Sequence, residues 1–308
     1  MPLLIEQANL LSQEDLLRGV IEEIVDVDEL FALFPFTQTE GKAYVYNREL
    51  DLSEPAWLNP YDIVPEGAAK FTEVTTQLRI LAGDIDLDKF ILATRSDHNN
   101  QLAIQLASKA KGMGRAFRRA LIQGSSAAAP TSPSTAPSID GLAALTPAEQ
   151  TILTGANGGP LTLSMLDQLR DLVKLGADCF MMNRQTWRGI KAQLRTFNGN
   201  TGDMIEIENF GRPIKSFDGT PVILNDYIPA NETVGTNAKT TSIYALRLNE
   251  ADGFHGLHAP GMGGGMQWEE IGTIQNKDAV RYRVKWYVGT ALKSTLSVAR
   301  LAGVNSVG

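Results

Sequence analysis

The chain has 308 residues, 43% of them apolar and 20% charged, which is enough to bury a sizeable core and too apolar for global disorder. The net charge of −7 argues against a free-standing nucleic-acid binder, and no apolar run approaches the roughly 18 residues of a membrane span. The start of the chain lacks the basic and apolar regions of a secretory signal, and Cys179, the single cysteine, excludes an internal disulfide, so the chain is expected to be soluble and intracellular when made.

Charge is unevenly placed. Residues 1–41 carry nine acidic residues against Arg18 alone, whereas residues 98–124 carry Lys109, Lys111, Arg115, Arg118 and Arg119 with no acid, and residues 273–308 are again basic. The acidic and basic segments could attract one another within or between subunits, or stay as separate solvated faces. Ser12 stands three residues before Asp15 as a capping-box-like start, and Leu17, Val20, Ile21, Ile24, Val27 and Phe31 follow at helical spacing until Pro35. The pattern predicts an acidic amphipathic helix that lies on another surface.

From residue 42 the character changes. Residues 43–46 and 71–80 are rich in β-branched and aromatic residues and read as strands. Between them, Pro55, Pro60, Pro65 and Gly67 stand with Trp57 and Tyr61, which excludes a helix and suits the tip of a long two-stranded excursion. An isolated two-stranded ribbon is marginal in water, so this one is expected to rest on another subunit. Asp97 is a good N-cap for a helix over residues 98–123, whose Leu102, Leu106, Ala110, Met113, Phe117 and Leu121 share one face; Gly112 and Gly114 are candidate bend points. Residues 125–138, SSAAAPTSPSTAPS, read as a flexible loop and as the main internal boundary. Beyond it come a helix over 161–175, a buried strand over 179–182, a helix over 185–194, strands over 221–224 and 242–246, a mobile glycine turn over 261–265, and two closing strands over 280–288 and 291–301. The mixture is α+β, without regular βαβ alternation.

Catalytic patterns are weak throughout. His255-Gly256-Leu257-His258 offers half a zinc site with no third ligand nearby, and reads better as a turn or as satisfied histidines; His98 reads as a surface residue. Asp84, Asp86 and Asp88 alternate on one strand face. As a calcium loop they are spoiled by Lys89 where glycine is required and Arg95 where glutamate is required, so a solvated or subunit-facing strand edge is the better reading. Gly112-Met113-Gly114 falls inside a helix, 261–265 lacks the Lys-Ser/Thr of a phosphate loop, and no serine lies in G-x-S-x-G. The expectation is no catalytic site, no metal and no cofactor.

Taken in order, these parts resemble the tailed-phage major capsid family, the Hong Kong 97-type (Johnson) fold that encapsulins share. The acidic arm, proline-tipped ribbon and long helix resemble that family's N-arm, E-loop and spine helix. Met182-Asn183-Arg184-Gln185-Thr186-Trp187 is similar to its strand followed by an Asn-x-x-Thr-Trp helix entry; Phe210-Gly211-Arg212-Pro213 and residues 217–229 resemble its Gly-x-Pro-Val and Pro stretch; residues 242–246 with 253–257, and Tyr282 to Gly289 with the strand after it, resemble the exit from its A-domain and its closing P-domain sheet.

The resemblance implies an N-terminal arm over 1–41, E-loop ribbon and P-domain strands over 42–90, spine helix and flexible loop over 91–138, an A-domain over 139–265 and C-terminal P-domain strands over 266–308. It implies a non-enzymatic subunit that assembles with itself, as hexamers and pentamers, into an icosahedral shell around non-specifically held double-stranded DNA. Separate scaffolding, portal and decoration proteins are further partners it allows; no membrane is involved, and the subunit is made in the host cytoplasm and ends in the virion. Trp57, Tyr61, Lys70 and Phe71 become candidate inter-subunit contacts, and Lys109, Lys111, Arg115, Arg118 and Arg119 candidate lumen-facing residues of the spine helix. Some members join a ribbon lysine to a neighbour's asparagine; Lys70 is the lysine near this tip, with no partner carboxylate and asparagine evident. An encapsulin-type compartment holding a cargo enzyme and an oligomeric enzyme of another class remain alternatives.

Overall fold

The computed structural model describes residues 30, 33–51, 55–64, 66–89, 98–127, 137–196, 207–209, 212–260 and 265–305. In chain order these form strands β1 (Phe36–Gln38), β2 (Ala43–Asp51), β3 (Lys70–Gln77) and β4 (Arg79–Asp88), helices α1 (His98–Gln123) and α2 (Leu142–Leu145), β5 (Thr151–Leu153), α3 (Leu163–Leu172), β6 (Cys179–Met182) and α4 (Arg184–Thr196). They continue through β7 (Ile207–Asn209), β8 (Arg212–Ile214), β9 (Ser216–Phe217), β10 (Thr220–Leu224), β11 (Glu232–Val234), β12 (Asn237–Leu246), β13 (Phe254–His258), β14 (Gln267–Thr273), β15 (Ala279–Leu292) and β16 (Val298–Asn305). The expected arm helix before residue 30, most of the Ala/Ser/Pro segment, and residues 261–264 of the glycine turn lie outside the described residues.

The organising element is β15. Tyr282, Val284, Trp286 and Val288 alternate with Arg281, Arg283, Lys285 and Tyr287, a period of two that buries one face and leaves the other half-buried. β4 pairs antiparallel along one edge, from Ala279↔Asp88 to Val288↔Arg79, while β14 and then β13 pair along the other, and β1 adds in parallel to β13. The buried face carries α1. Leu106, Ala110, Met113, Phe117 and Leu121 form the helix's buried stripe in one core with Ile85, Val284, Trp286 and Val288, and the Phe117 and Trp286 rings lie 4.7 Å apart. The helix is continuous through Gly112 and Gly114, and at 1.5 Å per residue its 26 residues reach roughly 39 Å.

A second sheet runs β5-β16-β12-β6-β10-β9, with β11 on β12. β6 lies inside it and is buried on both faces, which accounts for an uninterrupted apolar strand. Its Cys179 and Met181 join the core under α1, whereas Phe180 and Met182 join a separate core with Leu166 and Leu169 of α3 and Trp187 and Ile190 of α4. Asn183 caps α4, its Oδ1 accepting from the Gln185 amide at 3.0 Å while its Nδ2 donates to the Ile228 carbonyl at 2.9 Å.

Two expectations need correction and a third is narrowed. The closing strands divide at 293–297 rather than near 289, and β16 joins the second sheet rather than the sheet of β15, because Ser294 starts a 3-10 turn over Thr295–Ser297 that carries the chain across. The strand expected over 71–80 is two strands broken at Leu78, where the chain leaves the ribbon for the body. Of the two readings open for His255 and His258, the turn fails, since both are buried in β13.

Candidate inter-subunit interface

β2 and β3 form a two-stranded ribbon paired from Ala43↔Gln77 to Asp51↔Lys70, with an irregularity between Glu49 and Asp51. Alternation puts Tyr44, Tyr46 and Arg48 on one face with Val74 and Thr76, all half-buried, while Val45, Asn47 and Glu49 are exposed. From Lys70 to Glu73 the return strand is wholly exposed. The described residues of the tip, 55–64, are all exposed. A turn at 59–62 shapes it, with the Asn59 amide donating to Asp62 Oδ2 at 2.7 Å, the Asp62 amide donating to the Asn59 carbonyl at 3.1 Å, and Tyr61 held at φ 74°.

What the ribbon presents is apolar. Trp57 and Tyr61 are fully exposed, Ile63 is 91% and Phe71 66% exposed, and Leu58 and Val64 stand with them. Trp57, Tyr61 and Phe71 thus occupy the accessible positions expected of them, and Lys70 is exposed beside Phe71. So concentrated an apolar surface differs from singly scattered exposed apolar residues, which need no explanation, and makes the ribbon the candidate interface of the described residues.

The basic residues of α1 do not form one set. Lys111, Arg115 and Arg119 are exposed and Arg118 half-buried, and helical geometry places the four within about 100° of arc. Lys109 stands apart: its aliphatic stem lies over Gly83 of β4, so closely that a Cβ there would meet Lys109 Cε, and its ammonium helps to lower the pKa of Asp84.

The Asp84-Asp86-Asp88 strand face is tied into cross-strand pairs, which the sequence showed only as two unconnected charge patterns. Arg283 forks onto Asp84 at 2.7 and 2.9 Å, Arg281 onto Asp86 at 2.7 and 2.9 Å, and Lys285 pairs with Glu269 at 2.5 Å. The guanidinium hydrogen bonds hold both Asp carboxyls below the ordinary carboxylate range. Among the described residues no three His, Cys, Asp or Glu side chains are grouped to hold a metal. Cys179 is buried, and burial pushes its thiol up to about 12. In β11-β12-β16, Arg300 bonds Glu232 and Ser242 at 3.0 Å each, and Ser242 also donates to Glu232; the group ties three strands together.

Sequence reasoning missed the ribbon's root. Tyr46 Oη donates to the Leu292 carbonyl at 2.6 Å, Arg48 Nη2 to the same carbonyl at 2.6 Å, and Arg48 Nε to the Lys293 carbonyl at 2.9 Å. The alternation Tyr44-x-Tyr46-x-Arg48 was the available signal, but its partners are backbone atoms some 245 residues away.

Comparison with known proteins agrees with this architecture. The family model for the SU10 major capsid protein matches residues 73–305. Among solved structures, the holo-SrpI encapsulin complex from Synechococcus elongatus PCC 7942 superposes with a TM-score of 0.69 at 19% identity, covering 91% of this chain and 88% of that one. The capsid of a native GTA particle gives 0.61 at 18% identity, covering 89% of each chain. Mycobacterium phage Bobi gives 0.59 at 12% identity, covering 88% of this chain and 89% of that one. Comparison with curated proteins returns no significant match. The α+β arrangement of ribbon, long helix and two sheets is the Hong Kong 97-type capsid fold.

Proposed function

Because the chain belongs to the SU10 major capsid protein family, we propose that it builds the icosahedral head shell of a tailed phage by laying each β2–β3 ribbon on an adjacent subunit. The ribbon carries this reading, since its tip residues Trp57 and Tyr61 are fully exposed, with none of the described residues of their own subunit covering them. Such side chains bury about 150–250 Å² each when they find a partner. A contact between two different surfaces of the same chain is heterologous, and repeated with closure it yields rings and shells.

In this reading hexamers and pentamers of the subunit enclose double-stranded DNA. The Lys111, Arg115, Arg118 and Arg119 flank of α1 faces the lumen, where a few cations on a net acidic chain hold phosphate non-specifically. The subunit acts as structure rather than catalyst, is made in the host cytoplasm and ends in the virion. The likeness to an encapsulin supports a second filling, a protein cargo. Deleting residues 51–70 is expected to leave a folded subunit that does not assemble; shells of normal size from that variant overturn the proposal. Nuclease-resistant DNA inside assembled particles supports the first filling, and protein cargo without nucleic acid supports the second.

A further inference from the structure

The ribbon is a lever fastened at one end. Its return strand is seated where β3 meets β4: the Leu78 amide donates to the Lys42 carbonyl at 3.0 Å, and Leu78 packs on Gly289, where an added Cβ would stand 3.2 Å from Leu78 Cδ2. Its outgoing strand is fastened by Tyr46 and Arg48 to the carbonyls of Leu292 and Lys293, where β15 ends. The fork of Arg48 takes two successive carbonyls at once, which fixes a direction as well as a distance, a geometry that a lysine ammonium cannot reproduce.

Around this fork the side chains interleave. Arg48 lies 5.9 Å from the Tyr46 ring centre, the Tyr44 and Tyr46 rings are 5.6 Å apart, Lys293 lies 5.9 Å from the Tyr44 ring, and Tyr44 meets the buried His255 edge-on at 6.0 Å. Beyond Arg48, the side chains described on both strands are exposed, and Arg48 is the last half-buried residue of the outgoing strand among the described residues. Trp57 lies nine positions further on. At about 3.3 Å per residue, the free arm reaches up to roughly 30 Å, and a rotation of about 10° at the root carries the tip about 5 Å.

We infer that Tyr46 and Arg48 are positioning residues that set the angle at which the ribbon leaves the body, and through it the curvature and uniform size of the assembled shell. The inference rests on the ribbon being the inter-subunit contact. A displacement of about 5 Å at the tip exceeds what a close-packed contact absorbs, so an unfastened root lets neighbours meet at several angles in place of one. Because both acceptors are backbone carbonyls, side-chain changes at Leu292 and Lys293 leave the fastening in place, whereas changes at positions 46 and 48 remove it.

The test compares full-length wild type with Tyr46→Phe, Arg48→Lys, Arg48→Ala and the tip variant Trp57→Ala/Tyr61→Ala. Thermal melting and amide exchange are read on unassembled subunits, and diameters by electron microscopy on assembled ones. Arg48→Ala is expected to melt near wild type, exchange faster at residues 43–48, and give mixed or shifted diameters or unclosed sheets. Arg48→Lys should retain most of that defect, and Tyr46→Phe, which deletes one hydroxyl, a smaller part. If Arg48→Ala does not fold, Tyr46→Phe decides: a broadened size distribution supports the inference and a wild-type distribution overturns it. Wild-type diameters from the root variants, with the tip variant unable to assemble, overturn the positioning role alone. Normal shells from the tip variant overturn the ribbon contact and the positioning role together.

Discussion

Replacing Trp57 and Tyr61 together by alanine should separate folding from assembly. In the subunit both side chains are fully exposed, so their removal should change the free energy of unfolding by no more than about 0.5 kcal/mol, as for ordinary surface substitutions. In the shell each is expected to bury about 200 Å², worth about 5 kcal/mol gross at 25 cal/mol per Å². Ordering the arm and desolvating its rim offset part of this, and interface anchors typically retain about 2 kcal/mol each. A loss of about 4 kcal/mol per ribbon contact corresponds to roughly a thousandfold weaker pairing. Sedimentation of a dilution series reads assembly, and a urea titration of the unassembled subunit reads folding. Assembly at the wild-type concentration, or a loss of several kcal/mol of subunit stability, would refute the role of the two rings as inter-subunit anchors.

Other outcomes follow from the interior. Phe117→Ala, which empties the site between α1 and the Trp286 ring, should cost about 3–5 kcal/mol in a urea titration of the unassembled subunit. The His255 imidazole is held below its ordinary 6.5, first by burial and further by Lys293, with the Gly253 carbonyl and Glu250 opposing. A depressed histidine contributes its full stability above pH 6.5 and loses it as the pH falls below that value toward the folded-state pKa, because the unfolded chain takes up the proton first. Melting temperature should therefore drop on mild acidification, and His255→Gln should flatten that dependence; an unchanged slope would remove histidine as its source. Cys179, buried with its thiol pushed up to about 12, should ignore a thiol reagent in the native subunit and react once unfolded.

The parts legible in the sequence were those whose pattern is local. The α1 stripe from Leu102 to Leu121 could be read because helical spacing repeats within a few residues, and the ribbon tip because prolines exclude the alternative. Candidate contacts Trp57 and Tyr61 were legible for the same reason, as apolar side chains in a segment too irregular to bury them, and Phe71 as the apolar residue where the return strand leaves that segment. What escaped depends on pairing across long sequence separation. Nothing within residues 291–301 announces that the chain changes sheet at Ser294, since the apolar residues on both sides suit either sheet. The partners of Asp84 and Asp86 lie 199 and 195 residues away. Lys109 belongs to the basic run by composition, yet its helix position turns it toward Gly83. The hold of Arg48 on two carbonyls was invisible because backbone acceptors carry no sequence signature.

Electron microscopy of the purified full-length protein under assembling conditions decides whether the subunit builds a shell. Closed particles of uniform diameter, hundreds of ångströms across, are expected, built from hexamers and pentamers with each ribbon resting on an adjacent subunit. A protein that stays a monomer or a small fixed oligomer under those conditions, with its ribbon tip still in solvent, would contradict assembly into a shell.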